Sequence, residues 1–135
     1  MERIVLSFPA DMKFLALAGT VVQEVCSVIT QAGPSLSYNV QLAVDEAVVN
    51  VINHAYRGDP NGVVELTAEL HSDRLVVHIR DWGLSFDPSA IPEPDLAEPQ
   101  ERGYGVFLIR NLMDEVTYQA NAREGNRVTL TKHLR

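Results

Sequence analysis

The composition of residues 83–102 disfavours both a helix and a central strand. Pro88, Pro92, Pro94 and Pro99 fall within that stretch, among Asp87, Glu93, Asp95, Glu98 and Glu101. Proline breaks the hydrogen bonding of a helix and of a central strand alike. The stretch is therefore predicted to be a mobile acidic loop, and a long loop inside a compact domain is commonly a lid or a binding loop. The fold has to be assembled from the blocks on either side.

The block before the loop reads strand, helix, helix, strand, strand. Ile4–Phe8 is short, apolar and β-compatible, and Pro9 ends it. Phe14, Leu17, Val21, Val25 and Val28 recur at steps of three and four, as on one face of a helix that Gly33-Pro34 stops. A second helix is expected after Ser35 or Ser37 as N-cap, running to about Tyr56, with Leu42, Val48, Val49 and Ile52 among its apolar positions. Val64, Leu66, Ala68 and Leu70 alternate along a strand, His71-Ser72-Asp73 turns, and Leu75–Ile79 returns. Behind the loop come a short helix over about Val106–Met113 and two strands, Val116–Gln119 and Val128–Thr131, joined around Glu124-Gly125-Asn126. This order predicts an α+β fold: a two-layer α/β sandwich with helices on one face of a mostly antiparallel mixed sheet.

The chain has 135 residues, which fits a single domain over 1–135. A formal charge of −7 argues against a nucleic-acid backbone and against anionic lipid as partner. Its 46% hydrophobic content is enough for a packed core. One cysteine, Cys26, excludes an internal disulfide. Pro9 and Asp11 come too early for a signal-peptide core, and no apolar run approaches the ~20 residues of a membrane helix. A soluble cytoplasmic domain is the class that is left.

Three constellations carry chemistry. In Asp45-Glu46-Ala47-Val48-Val49-Asn50-Val51-Ile52-Asn53-His54-Ala55, Glu46, Asn50 and Asn53 are spaced four and then three, so they share a helix face. A carboxylate and two amides offer oxygen ligands for a hard cation such as Mg²⁺. On spacing alone a structural polar seam is the commoner meaning of such a stripe, and His54 reads as a surface or packing residue. Asp81-Trp82-Gly83 closes a strand, where a carboxylate can accept a hydrogen bond from a ring amino group and glycine permits close approach; an ordinary strand-end turn has the same pattern. Gly103-Tyr104-Gly105 precedes a helix, where free N–H groups suit a phosphate, though a plain loop-to-helix junction looks alike. No Walker-type glycine-lysine motif, nucleophile elbow or metal-ligand histidine spacing occurs.

The order of the three is more specific than any one of them. It resembles the GHKL ATPase superfamily of DNA gyrase, histidine kinases and mismatch-repair ATPases, and within it the bacterial anti-sigma factor serine/threonine kinases. The sharpest stretches are Asp45–Tyr56 and Gly103–Val116. The resemblance implies a Bergerat-type ATP-binding fold with ATP and Mg²⁺ as cofactors. It implies that Asn50 holds the metal and that Glu46 is the general base for a substrate serine. Asn53 would support the phosphate end, Asp81 would bind the adenine amino group, and Gly83 would make room. Gly103 and Gly105 would let a lid close, with Arg102 as a phosphate cation.

The resemblance further implies a STAS-type anti-anti-sigma protein as substrate, a sigma factor as a second partner, and a homodimer, for which the apolar face of the first helix or the first strand could supply the interface. It implies no direct nucleic-acid or membrane contact. The sequence departs from the pattern in three places. Leu84-Ser85-Phe86-Asp87-Pro88 follows Asp-x-Gly where gyrases and histidine kinases carry another glycine. Asn126 stands where threonine is common, and Arg102 where a small residue is often seen. These departures leave an alternative: a nucleotide-gated sequestering module without kinase activity. A gyrase-like clamp is disfavoured, since such clamps need a transducer domain.

Overall fold

The computed structural model describes residues 1–86, 109–121 and 123–134. Five strands make one sheet: β1 (Glu2–Pro9), β2 (Val63–Leu70), β3 (Arg74–Asp81), β4 (Glu115–Asn121) and β5 (Gly125–His133). Their spatial order is β1-β2-β3-β5-β4, and all four pairings are antiparallel. The expected two-layer sandwich is thus present, with no parallel pair among the described residues. Two helices, α1 (Leu15–Ser27) and α2 (Pro34–Asn50), cover one face.

Strand alternation decides which face that is. Val64, Leu66 and Ala68 of β2 and Leu75, Val77 and Ile79 of β3 are buried and pack on Val40, Val44, Ala47 and Val48 of α2. The opposite phase, Glu65, Thr67, Glu69, His78 and Arg80, lies on the open side.

The first helix buries part of the expected face, with Val25 buried and Phe14 and Val21 packed partly buried against the core, but its contact is centred elsewhere. Ala18, Gly19, Val22, Val25 and Cys26 are buried, whereas Leu17 and Val28 are 45% and 69% exposed. The reason is close helix–helix approach. A β-carbon at Gly19 would stand 3.0 Å from Gln41 Nε2 and 3.2 Å from Asp45 Oδ1 of α2, so small residues occupy the contact. The start of α2 also differs. Gly33 is its N-cap with Pro34 in the first turn, and the Ser37 N–H donates to the Gly33 carbonyl, which puts Ser35 and Ser37 inside the helix.

Candidate functional site

The site forms where the end of α2 meets the end of β3. Past Asn50 the helix widens into a π turn, Val51–Ala55, in which the Tyr56 N–H reaches back to the Val51 carbonyl at 3.1 Å. Such turns recur at functional sites because they re-aim side chains. Glu46 and Asn50 lie one α-helical turn apart in α2 and are half-buried, while Asn53 belongs to the π turn and is exposed. Asp45 points the other way, toward Gly19. Its Oδ1 is buried without a hydrogen-bond partner among the described residues, and burial, then the neighbouring Glu46 charge, raises its pKa.

Asp81, the last residue of β3, is only 2% exposed. Its Oδ1 accepts two hydrogen bonds, from the Gly83 N–H and from Asn126 Nδ2, both at 2.9 Å. Asn126, 3% exposed, faces Asp81 across the β3–β5 ladder. Its second Nδ2 proton goes to the Gly83 carbonyl at 3.1 Å, and its Oδ1 accepts the Ser85 hydroxyl at 2.8 Å. Burial pushes the Asp81 carboxyl above its ordinary range, and the bonds from Asn126 and Gly83 pull it partly back.

Gly83 joins this cluster to the helix end. The Leu84 N–H donates to the Ala55 carbonyl at 2.8 Å, and a β-carbon at Gly83 would stand 2.7 Å from the Ala55 carbonyl carbon. Tyr56 makes a second tie. Its hydroxyl donates to the Val63 carbonyl at 2.6 Å and accepts the Trp82 N–H at 2.8 Å. An aromatic group completes the rim. The Phe86 ring lies 5.4 Å from that of His54 and 5.8 Å from that of Tyr118, and the Phe86 N–H donates to the Tyr118 hydroxyl.

The structure thus unites Asp81 and Gly83 with the helix that carries Glu46, Asn50 and Asn53. Arg102, Gly103 and Gly105, the predicted acidic loop from Asp87 onward and the first residues of the helix predicted over Val106–Met113 lie outside the described residues; 109–112 are helical. Sequence reasoning did not count Ser85, Asn126 or Tyr56 as site residues. One signal for Asn126 was present: it shares the inward phase of β5 with Val128 and Leu130, so a polar amide occupies a core position.

A family model described as the histidine kinase-like ATPase domain matches residues 8–132. The chain belongs to that family. An anti-sigma F factor of Priestia megaterium is 35% identical over 120 residues, covering 82% of this chain and 80% of the relative. A serine-protein kinase RsbW of Listeria monocytogenes is 31% identical, covering 98% of this chain and 88% of the relative. These relatives put the chain in the anti-sigma kinase branch of the histidine kinase-like ATPases. Among solved structures, the RsbU and RsbW domains of a Mycobacterium tuberculosis protein share its fold with a TM-score of 0.71 at 19% identity; 98% of this chain covers 32% of that one. The histidine kinase domain of a blue-light activated kinase from Erythrobacter litoralis gives 0.58, also at 19% identity, over 93% of this chain and 61% of that one.

Proposed function

We propose that this histidine kinase-like ATPase domain is an ATP-dependent protein serine/threonine kinase of the anti-sigma factor type. It phosphorylates a STAS-type anti-anti-sigma protein and holds a sigma factor, or another target, inactive. The observation that carries the reading is the buried Asp81 with both hydrogen bonds on Oδ1, seated through Gly83 against the end of the helix bearing Glu46 and Asn50. That arrangement leaves Asp81 Oδ2 for the amino group of an adenine ring.

In this reading the ring enters beside Gly83, and the phosphates extend toward Asn50 and Asn53. Glu46 takes the proton from the substrate serine as its oxygen attacks the γ-phosphorus and the bond to the β-phosphate oxygen breaks. Phosphoryl transfer rests on positioning and charge neutralisation more than on covalent chemistry by the protein. The donors fit Mg²⁺, which takes one or two side-chain oxygens and completes its shell with phosphates and water. When bound it would neutralise phosphate charge, and Asn50 Oδ1 would be the protein oxygen that holds it. Arg102, Gly103 and Gly105 are assigned to the phosphates by their place in the sequence.

A homodimer fits the exposed apolar residues of the first elements: Ile4 and Val5 on the edge strand β1, Leu17 on α1 and Val28 at its C-cap. No helix among the described residues is long and apolar enough to cross a membrane; the reading places the chain in the cytoplasm.

The test mixes the chain with ATP, Mg²⁺ and candidate STAS-type proteins and reads phosphoserine by mass spectrometry. Transfer that disappears in Glu46→Gln supports the reading. Stable capture of the partner without transfer would make the chain a nucleotide-gated sequestering module instead.

A further inference from the structure

The two departures from the superfamily pattern nearest the adenine side, Ser85 and Asn126, touch each other. The Ser85 hydroxyl donates to Asn126 Oδ1 at 2.8 Å, and the same amide donates to Asp81 Oδ1 and to the Gly83 carbonyl. We propose that Asn126 is the positioning residue for Asp81, and that Ser85 braces the amide through its oxygen while the acceptors Asp81 Oδ1 and the Gly83 carbonyl fix which end faces the carboxylate. The inference rests on the reading of Asp81 as the adenine acceptor.

The chemistry of the amide supports it. A flipped Asn126 would aim its oxygen at two acceptors, Asp81 Oδ1 and the Gly83 carbonyl, and its NH₂ at Ser85. In the observed orientation both Nδ2 protons and one oxygen lone pair are engaged in a site where buried polar groups must be satisfied. The amide holds Asp81 Oδ1 in place and has no proton left over for a ligand. Among the described residues Oδ2 has no partner, and it is the acceptor left to an incoming amino group. The Asn126 bond also opposes the upward push of burial on Asp81, so it favours the ionised form that accepts. Ser85 lies at the rim, exposed, and reaches Asp81 only through the amide.

Two readouts on the full chain test this. Carboxyl NMR follows the titration of Asp81 without nucleotide. Calorimetry gives the ATP affinity with Mg²⁺ for wild type, Asn126→Ala, Ser85→Ala and the double variant. Asn126→Ala is expected to move the Asp81 titration upward and to weaken ATP about tenfold, the size of one lost hydrogen bond to a charged group. Ser85→Ala should move both in the same direction by less, and the double variant should match Asn126→Ala alone.

An unmoved Asp81 titration in folded Asn126→Ala, or additive effects in the double variant, overturns the proposal. Should Asn126→Ala not fold, Ser85→Ala carries the same two readouts, and no change in either overturns it. Wild type that fails to bind ATP while its Asp81 titration still responds to Asn126→Ala would uphold the positioning role and reject the nucleotide reading.

Discussion

Gly83 packs against Ala55 so tightly that no side chain fits between them: a β-carbon there would overlap the Ala55 carbonyl oxygen and stand 2.7 Å from its carbon. The contact joins the Asp81 turn to the π turn of the helix bearing Glu46 and Asn50. Gly83→Ala must push the two apart, and overpacking of this kind costs about 1–3 kcal/mol. Urea unfolding should show that loss, and ATP affinity should fall with it. A variant as stable as wild type, with unchanged affinity, would contradict the role given to this contact.

Asp81→Asn separates stability from binding. Burial raises the folded pKa of Asp81 above its unfolded value. The folded state therefore holds the proton more tightly, and stability is lost as pH rises from the unfolded pKa through the folded one. An amide keeps an oxygen for Asn126 and Gly83 without that loss. The variant should be at least as stable as wild type at neutral pH, and the difference should shrink below the unfolded pKa. Its NH₂ would face the adenine amino group, so ATP should bind at least about tenfold more weakly. Calorimetry and urea melts across pH check both halves.

Tyr56→Phe removes one hydroxyl that serves two partners, the Val63 carbonyl and the Trp82 N–H. A loss of about 1–2 kcal/mol is expected. Hydrogen exchange of the Trp82 amide should quicken in the variant, and an unchanged rate would show that this tie does not hold the turn.

On the open side of the sheet, Glu69 receives His71 Nε2 on one oxygen and His78 Nε2 on the other, both at 3.1 Å. Burial alone would raise its pKa. The hydrogen bonds and charges of the two histidines outweigh that, so the folded pKa lies below the ordinary glutamate value. The stabilisation is present above the unfolded pKa and is lost as pH falls through the folded one. Glu69→Gln should be less stable than wild type at pH 6, and the gap should close on acidification toward pH 3, measured by urea unfolding. A gap independent of pH would contradict the assignment.

The strands were legible because alternation maps directly onto two faces: Val64, Leu66 and Ala68 are buried as their phase requires. The face of α1 was legible only in part. Val25 is buried and Phe14 and Val21 pack on the core as expected, but Leu17 and Val28 are exposed, and the closest packing falls at Ala18 and Gly19, whose small size lets α2 approach. The π turn was also hidden, because nothing in Val51–Ala55 distinguishes a wide turn from an α-helical one; only the tertiary fold shows it, with Ala55 accepting from the Leu84 N–H beside Gly83. Asn126 read as a turn residue, and only the strand pairing to Asp81 reveals it as part of the site. The polar stripe and Asp-x-Gly were legible as motifs, and their meeting in space was not.

The most direct measurement uses γ-labelled ATP and Mg²⁺ in a lysate of the source organism, comparing wild type with Glu46→Gln. The account predicts one small protein labelled on serine or threonine by the wild type. With Glu46→Gln the label should fall at least about a hundredfold, the lower range for losing a general base, while ATP still binds. Full labelling by Glu46→Gln, or no labelling by a wild type that binds ATP in the presence of its partner, would contradict it.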